Sequence, residues 1–196
     1  VVPLLGAVGL VAFYLHDGVL LRRKARFGYQ VQVGMSAPDF ELKDQDGTPV
    51  RLSQFRDRHP VLLVFVRGDW CPGCHMLLRT YEQHRMRFLE RQVHVLGIGP
   101  DDIRVNKAMV ERLGVSYHML SDDGQRIAGR YGIIYNNPSI EIGLDYAQGI
   151  PLPAAFLVDM DGQVRYVSRP DRPGEFLDPH TIFSALGELP LMPALA

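Results

Sequence analysis

The stretch VLLVFVRGDWCPGCHM, residues 61–76, runs from an uninterrupted apolar segment into two cysteines three positions apart. Residues 61–66 are rich in β-branched side chains, which is typical of a strand buried on both faces. After Cys74 the apolar positions recur at helical spacing as far as Arg91. The pattern therefore predicts a buried strand, then one helix over 71–91, with Cys71 and Cys74 at their junction.

This junction favours thiol chemistry. A helix N-terminus carries partial positive charge and unpaired N–H groups, and both stabilise a thiolate at Cys71. Pro72 suits the first helical position because the N–H that it lacks would be unpaired there anyway. Cys74 lies one turn further on the same face, within reach of a mixed disulfide formed at Cys71. The spacing predicts that Cys71 attacks and Cys74 resolves.

Three neighbours bear on this hypothesis. Asp69 would raise the pKa of the Cys71 thiol unless its carboxylate points away or caps the helix. Trp70 offers a flat apolar platform for a partner's backbone, or is a plain packing residue. His75 is either a solvated helix residue or a charge that assists one of the cysteines.

With His75 the motif also reads CxxCH, the spacing that attaches c-type haem. Haem attachment also requires a second axial ligand and an apolar, mostly helical pocket, whereas a CxxC beside alternating strands and helices is typical of redox dithiols. Zinc is less favoured still, because no second CxxC and no HxxxH is present. We therefore favour the dithiol and expect neither a cofactor nor a metal.

Composition sets broad limits. The 196 residues are 46 % hydrophobic and 22 % charged, which is typical of one globular domain. The formal net charge of −1 gives no indication of nucleic-acid binding. Only two cysteines are present, so they do not form a structural disulfide framework. Two isolated cysteines so close together indicate chemistry.

Strand and helix patterns alternate along the rest of the chain. Residues 37–55 read as a hairpin around Asp46-Gly47, and a second hairpin turns at 160–162. Other segments, in chain order, read as a strand (93–99), a helix capped by Asp101 and ending before Gly114 (101–113), a strand (117–122), a short helix (124–132) and a last helix (178–188). Residues 133–152 fit no element. The order predicts an α/β domain over 37–188 with a mixed central sheet flanked by helices.

The N-terminus has a different character. Residues 1–15 carry no charge, and a basic cluster follows at 22–26. Because the chain begins at Val1 rather than at a methionine, we expect further residues upstream that lengthen the apolar run. We interpret 1–26 as a single-pass anchor helix with its basic flank, 27–36 as a linker and 189–196 as a tail. The basic flank favours a cytoplasmic domain; the extracytoplasmic side is the alternative.

Four segments carry a resemblance to a known family: APDFELKDQDGTPVRLSQF, VLLVFVRGDWCPGCHMLLRTYEQH, SDDGQRIAGRYGI and LPAAFLVDMDGQVRYV. Over about residues 35–188 the chain resembles the thioredoxin-like superfamily, in particular the peroxiredoxin-like branch of the alkyl hydroperoxide reductase/thiol-specific antioxidant family. The resemblance implies a thioredoxin-like fold and thiol-dependent redox activity. It matches Cys71 to the attacking, peroxidatic cysteine and Cys74 to the resolving cysteine of CxxC thioredoxins.

Three positions depart from the peroxiredoxin pattern. Gly68 stands where such proteins carry Thr or Ser, Val64 where they carry Pro, and Pro153 where they carry an arginine. Arg67 is then the candidate substitute for the missing cation; its alternative is a surface charge at the strand end. Pro153 instead matches the cis-proline of thioredoxin and its membrane-anchored reductase relatives, so we expect a cis Leu152–Pro153 bond that shapes the substrate groove. Pro151 is the nearby competitor for this role.

Together these patterns predict a membrane-tethered thiol-dependent oxidoreductase that cycles a Cys71–Cys74 dithiol and disulfide. Its site residues are Cys71, Cys74, Pro153, Trp70 and Arg67. Its partners are a peroxide or disulfide substrate, an external thiol reductant and the membrane. The alternative is an accessory subunit of a membrane complex, in which the thioredoxin fold has a structural or minor redox role and small residues of the anchor pack against other helices.

Overall fold

The computed structural model describes residues 29–135, 149–170 and 177–188. Nine strands lie within these ranges: β1 (Glu41–Lys43), β2 (Pro49–Arg51), β3 (Val61–Phe65), β4 (His94–Gly99), β5 (His118–Ser121), β6 (Ile134–Tyr135), β7 (Ile150–Pro151), β8 (Ala154–Val158) and β9 (Val164–Ser168). The helices of the same ranges are a 3₁₀ turn (Leu52–Phe55), α1 (Pro72–Gln83), α2 (Arg85–Glu90), α3 (Ile103–Leu113), α4 (Arg126–Tyr131) and α5 (Ile182–Glu188).

Seven of the described strands form one mixed sheet in the order β2-β1-β5-β4-β3-β8-β9. β3 pairs in parallel with β4, and β4 in parallel with β5. β1 joins β5 antiparallel, and β8 joins β3 antiparallel. The two predicted hairpins are confirmed as β1–β2 and β8–β9. The predicted mixed sheet is therefore present, with β3 near its centre.

β3 separates the two halves of the core. All five of its residues are buried, which confirms the strand predicted from the apolar run. Leu63 and Phe65 face a cluster that includes α4, whereas Leu62 and Val64 face a cluster that includes α1, α2, α3 and α5. Because β3 is covered on both faces, its carboxyl end is a rigid base for the residues that follow it.

The single helix predicted over 71–91 is wrong in one respect, because the helix is interrupted at His84. That residue leaves helical geometry at φ −104° and ψ 17°, and its N–H contacts the carbonyls of Thr80 and Tyr81. Its ring Nδ1 also lies 2.9 Å from the Thr80 carbonyl oxygen. The side chain thus competes for the backbone acceptors, so α1 ends here and a second helix, α2, begins at Arg85.

The helix cap at the start of α3 lies one residue later than predicted. Asp102, not Asp101, is the N-cap, and its carboxylate accepts the Val105 N–H at 2.9 Å. The Asp101 carboxylate instead accepts the backbone N–H of Asp69 at 2.7 Å. The predicted end is confirmed: Gly114 caps α3 in the left-handed conformation, φ +66°.

Part of the segment 133–152, which fits no sequence pattern, forms a short second sheet. Ile134 pairs with Pro151 and Tyr135 with Ile150, so β6 and β7 bring the two sides of this segment together. Upstream, residues 29–36 of the predicted linker run beside β9, where Gly34 donates to the Val164 carbonyl at 2.8 Å.

The predicted anchor helix (1–26) and the predicted tail (189–196) lie outside the described residues. Among the helices that are described, none has the length and apolar character needed to cross a bilayer. The domain boundaries inferred from the sequence stay predictions.

Candidate active site

Cys71 is the N-cap of α1, the position that the sequence predicted near the helix start. Its backbone is extended, at φ −93° and ψ 102°, and its Sγ accepts the Cys74 N–H at 3.3 Å. Pro72 occupies the first helical position. Only 4 % of Cys71 is exposed. The sulfur therefore sits where unpaired helix N–H groups favour a negative charge.

Cys74 lies deeper than Cys71, with 1 % exposed, and both cysteines are free thiols. Its Sγ accepts the backbone N–H of Arg67 at 3.4 Å. The hydrogen bond from the Cys74 side chain is the main cause that lowers the pKa of Cys71, to about 6, against the opposing effect of burial. The same hydrogen bond, followed by burial, raises the pKa of Cys74. One sulfur is thus set to carry the negative charge and the other to keep its proton.

Arg67 contributes to this asymmetry. Its positive charge lowers the pKa of Cys71, although less than the hydrogen bonds from Cys74 do. The guanidinium lies over the Trp70 ring, 4.6 Å from the ring centroid. Trp70 keeps 37 % of its surface exposed. The structure thus joins Arg67 and Trp70 in a cation–π contact beside the cysteines.

Gly68 adopts a conformation that side chains disfavour, φ +128°. Its carbonyl accepts the Cys71 N–H at 3.1 Å, which closes the turn between β3 and α1. A residue with a Cβ is strained at this angle. The turn therefore favours glycine over Thr or Ser at this position.

The Asp69 carboxylate has two side-chain partners. Its Oδ1 lies 3.1 Å from His75 Nε2, and the same oxygen accepts a hydrogen bond from the Arg112 guanidinium. The backbone N–H of Asp69 is bound by Asp101. His75 is accordingly not the solvated residue of one sequence interpretation, because its ring contacts Asp69.

Pro153 lies immediately before β8, whose first residue, Ala154, pairs with Phe65 at the end of β3. Continuing this register by one residue sets Pro153 opposite Val66, at the sheet edge from which the cysteine turn leaves. The expected cis bond is wrong: no described peptide bond is cis, and Leu152–Pro153 is trans. Leu152 donates its N–H to Ile133 at 2.7 Å, so the chain stays extended into β8, and trans is the default for such a bond.

The sequence interpretation missed Arg112 and Asp101 as residues of this site. Both are brought to the turn by α3 and the loop before it, more than 25 residues along the chain, and nothing in the local sequence marks them. Across the described ranges, no cluster of three or more His, Cys, Asp or Glu side chains could hold a metal ion.

The chain is similar to several known proteins. The family model described as AhpC/TSA family matches residues 33–167. A chloroplastic peroxiredoxin Q of Suaeda salsa is 32 % identical over 144 residues, which is 74 % of this chain and 63 % of that protein. The thiol-disulfide oxidoreductase ResA of Bacillus thuringiensis is 28 % identical over 166 residues, 84 % of this chain and 82 % of that protein.

Among solved structures, the peroxidoxin BcpB of Mycobacterium tuberculosis superposes with a TM-score of 0.69 at 25 % identity, covering 82 % of this chain and 99 % of that one. The architecture is thus a thioredoxin-like α/β fold. The chain spans about three fifths of the length of the peroxiredoxin Q proteins that it matches. On the family-model match, which covers more than half of its residues, the chain belongs to the AhpC/TSA family.

Proposed function

We propose that the protein is a peroxiredoxin-like thiol oxidoreductase in which Cys71 attacks a peroxide and Cys74 resolves the product. The observation that carries the proposal is the asymmetric pair: the N-cap position and the Cys74 hydrogen bond lower the pKa of Cys71 to about 6. Near neutral pH such a thiol is mostly thiolate, which is the nucleophilic form. The similarity to peroxiredoxin Q supports the same assignment.

A small peroxide fits the burial of the site better than a folded protein substrate. Cys71 exposes only 4 % of its surface, so its sulfur is reached by a molecule of a few atoms more readily than by a strand of a partner. The Arg67 guanidinium can stabilise the oxygen anion that leaves when the O–O bond breaks. We assign to Arg67 this electrostatic role and to Trp70 the role of orienting it.

The proposed cycle has three steps. The Cys71 thiolate attacks one peroxide oxygen, the O–O bond breaks, and the departing alkoxide or hydroxide takes a proton, leaving Cys71 as a sulfenic acid. The Cys74 sulfur then attacks the Cys71 sulfur, loses its proton and expels water, and a Cys71–Cys74 disulfide forms. An external thiol reductant returns the two electrons and two protons. No cofactor enters this cycle.

A disulfide is the second candidate oxidant. The CxxC spacing and the similarity to a protein named thiol-disulfide oxidoreductase support it. In that case the Cys71 thiolate attacks a disulfide sulfur, one thiolate leaves, and Cys74 displaces the other. Pro153, at the edge of the sheet next to the turn, would line the path of such a substrate.

The test is thiol consumption by the reduced protein. Hydrogen peroxide and an oxidised model protein are added separately to wild type, Cys71→Ser and Cys74→Ser, and the remaining thiols are counted. Wild type should lose two thiols per peroxide, and Cys74→Ser should accumulate a sulfenic acid that a dimedone-type reagent traps. If peroxide consumes wild-type thiols no faster than those of Cys71→Ser, the peroxidase proposal is refuted. Selective loss with the protein disulfide would favour the second candidate.

Tethering to a membrane is a separate proposal that rests on the apolar run at residues 1–15 and the basic cluster after it. A bilayer core needs about 20 mostly apolar helical residues, and residues 1–15 supply most of that length. Expression of the full-length protein followed by alkaline extraction of membranes tests it. Recovery in the extracted soluble fraction would contradict the proposal.

A further inference from the structure

The turn before Cys71 is fastened to a distant helix by one aspartate. Asp69 contacts two side chains through Oδ1: the ring of His75, one turn into α1, and the guanidinium of Arg112, in the last turn of α3. The Asp69 side chain is about three-quarters buried, with 25 % exposed. A carboxylate so placed needs these partners, because a buried charge without them is costly.

A second tie holds the same turn to the other end of α3. The Asp69 N–H donates to Asp101 at 2.7 Å, just before the helix begins. The Asp101 carbonyl in turn accepts from the Ser121 hydroxyl at 2.6 Å and from the Asn106 amide at 3.2 Å. Asp69 is therefore hydrogen-bonded near both ends of α3, to Asp101 before its first turn and to Arg112 in its last turn.

The position of Asp69 matters to the thiol because it lies only two residues before Cys71. A free carboxylate there would oppose a thiolate by like-charge repulsion. In the structure the Asp69 carboxylate is paired with Arg112, which is cationic at any ordinary pH. Arg67 is the cation that acts on Cys71. The charged or titratable side chains that contact the turn thus include Arg67, Asp101, Arg112 and His75.

We propose that Arg112 is a positioning residue: with His75 it holds the Asp69 carboxylate away from Cys71 and neutralises it, so that the thiolate forms beside Arg67 unopposed. The inference deepens the proposed function and rests on Cys71 as the attacking thiol. It also gives His75 a role unrelated to haem, as the second side chain that contacts the Asp69 carboxylate.

The test measures the pH at which Cys71 ionises, from the ultraviolet absorbance of the thiolate in the reduced protein. Arg112→Ala should move the midpoint upward by roughly half a pH unit to one pH unit. Arg112→Lys, which keeps the charge, should stay near wild type. In an Asp69→Asn background, Arg112→Ala should cause no shift, because no carboxylate is left to repel the thiolate.

Arg104→Ala is the matched control, since Arg104 is an arginine of the same helix with 93 % of its side chain exposed. The Cys71 ionisation midpoint of this variant should equal that of wild type. Thermal melting checks that each variant is folded, and Arg112→Gln replaces Arg112→Ala if the latter is not. An unchanged midpoint in Arg112→Ala overturns the inference. So does an equal shift with and without Asp69, which would mean a merely structural role.

The peroxide assay separates this inference from the proposed function. If wild type consumes no peroxide and no disulfide but Arg112→Ala still shifts the midpoint, the proposed function fails and the positioning role stands. If wild type turns over and the midpoint does not move, the positioning role alone fails.

Discussion

The hydrogen bond between the two cysteines can be removed by one substitution, Cys74→Ala. The Cys74 side chain is the main cause of the low pKa of Cys71, about 6. Alanine keeps the backbone N–H that contacts Cys71 Sγ at 3.3 Å and removes only the sulfur donor. The substitution therefore isolates the contribution of the side chain from that of the helix terminus.

The size of the effect follows from the charge on the acceptor. A hydrogen bond to an ionised group is worth about 1.5–3 kcal/mol, which corresponds to a rise of roughly one to two pH units. The pKa of Cys71 should then move from about 6 to between roughly 7 and 8. At pH 7 the thiolate fraction would fall from about nine tenths to between about one half and one tenth.

The assay is the rate of iodoacetamide alkylation of Cys71 as a function of pH. The midpoint is read rather than the maximal rate, because intrinsic nucleophilicity also changes with pKa. Cys74→Ser is the matched control: its hydroxyl can still donate to the thiolate, so its midpoint should lie nearer to wild type. A Cys74→Ala midpoint equal to that of wild type would show that the Cys74 side chain does not lower the pKa of Cys71 and would leave the helix terminus as the main cause.

Three further predictions concern charge, backbone and pH. Arg67→Ala should raise the alkylation midpoint of Cys71 and Arg67→Lys should raise it less, because Arg67 acts on the thiolate through its charge. Gly68→Ala should lower the free energy of unfolding, measured in urea, by about 1–3 kcal/mol, because a side chain is strained at the Gly68 φ of +128°. The control Gly129→Ala in α4, where an added Cβ meets nothing within 4 Å, should raise the free energy of unfolding by about 0.5–1 kcal/mol. Equal effects of the two substitutions would contradict the strain argument. Burial raises the folded-state pKa of Asp122, so protonation of this carboxyl favours the folded state. The stability of wild type relative to Asp122→Asn should therefore be greatest below about pH 4 and decline as the pH rises. A stability difference that does not change with pH would contradict this prediction.

Short-range patterns predicted most of the elements. The apolar run at 61–66 became β3, and the turn signals at Asp46-Gly47 and 160–162 became the hairpins β1–β2 and β8–β9. These predictions succeed because a strand buried on both faces, or a tight turn, is determined by residues adjacent in the chain. The break of the long helix at His84 was not predicted, because apolar spacing carries no information on how a side chain competes for a carbonyl.

The same division holds at the site. Local sequence was enough to predict two isolated cysteines at a strand–helix junction, since CxxC spacing and apolar periodicity are properties of neighbours in the chain. The hydrogen-bond partners of Asp69 follow only from the tertiary structure, because Arg112 and Asp101 reach this residue only when α3 packs beside the turn. The Leu152 N–H likewise has its partner 19 residues away, at the Ile133 carbonyl. Charge and hydrogen bonding act through space, so the environment of the thiol depended on contacts that no local pattern records.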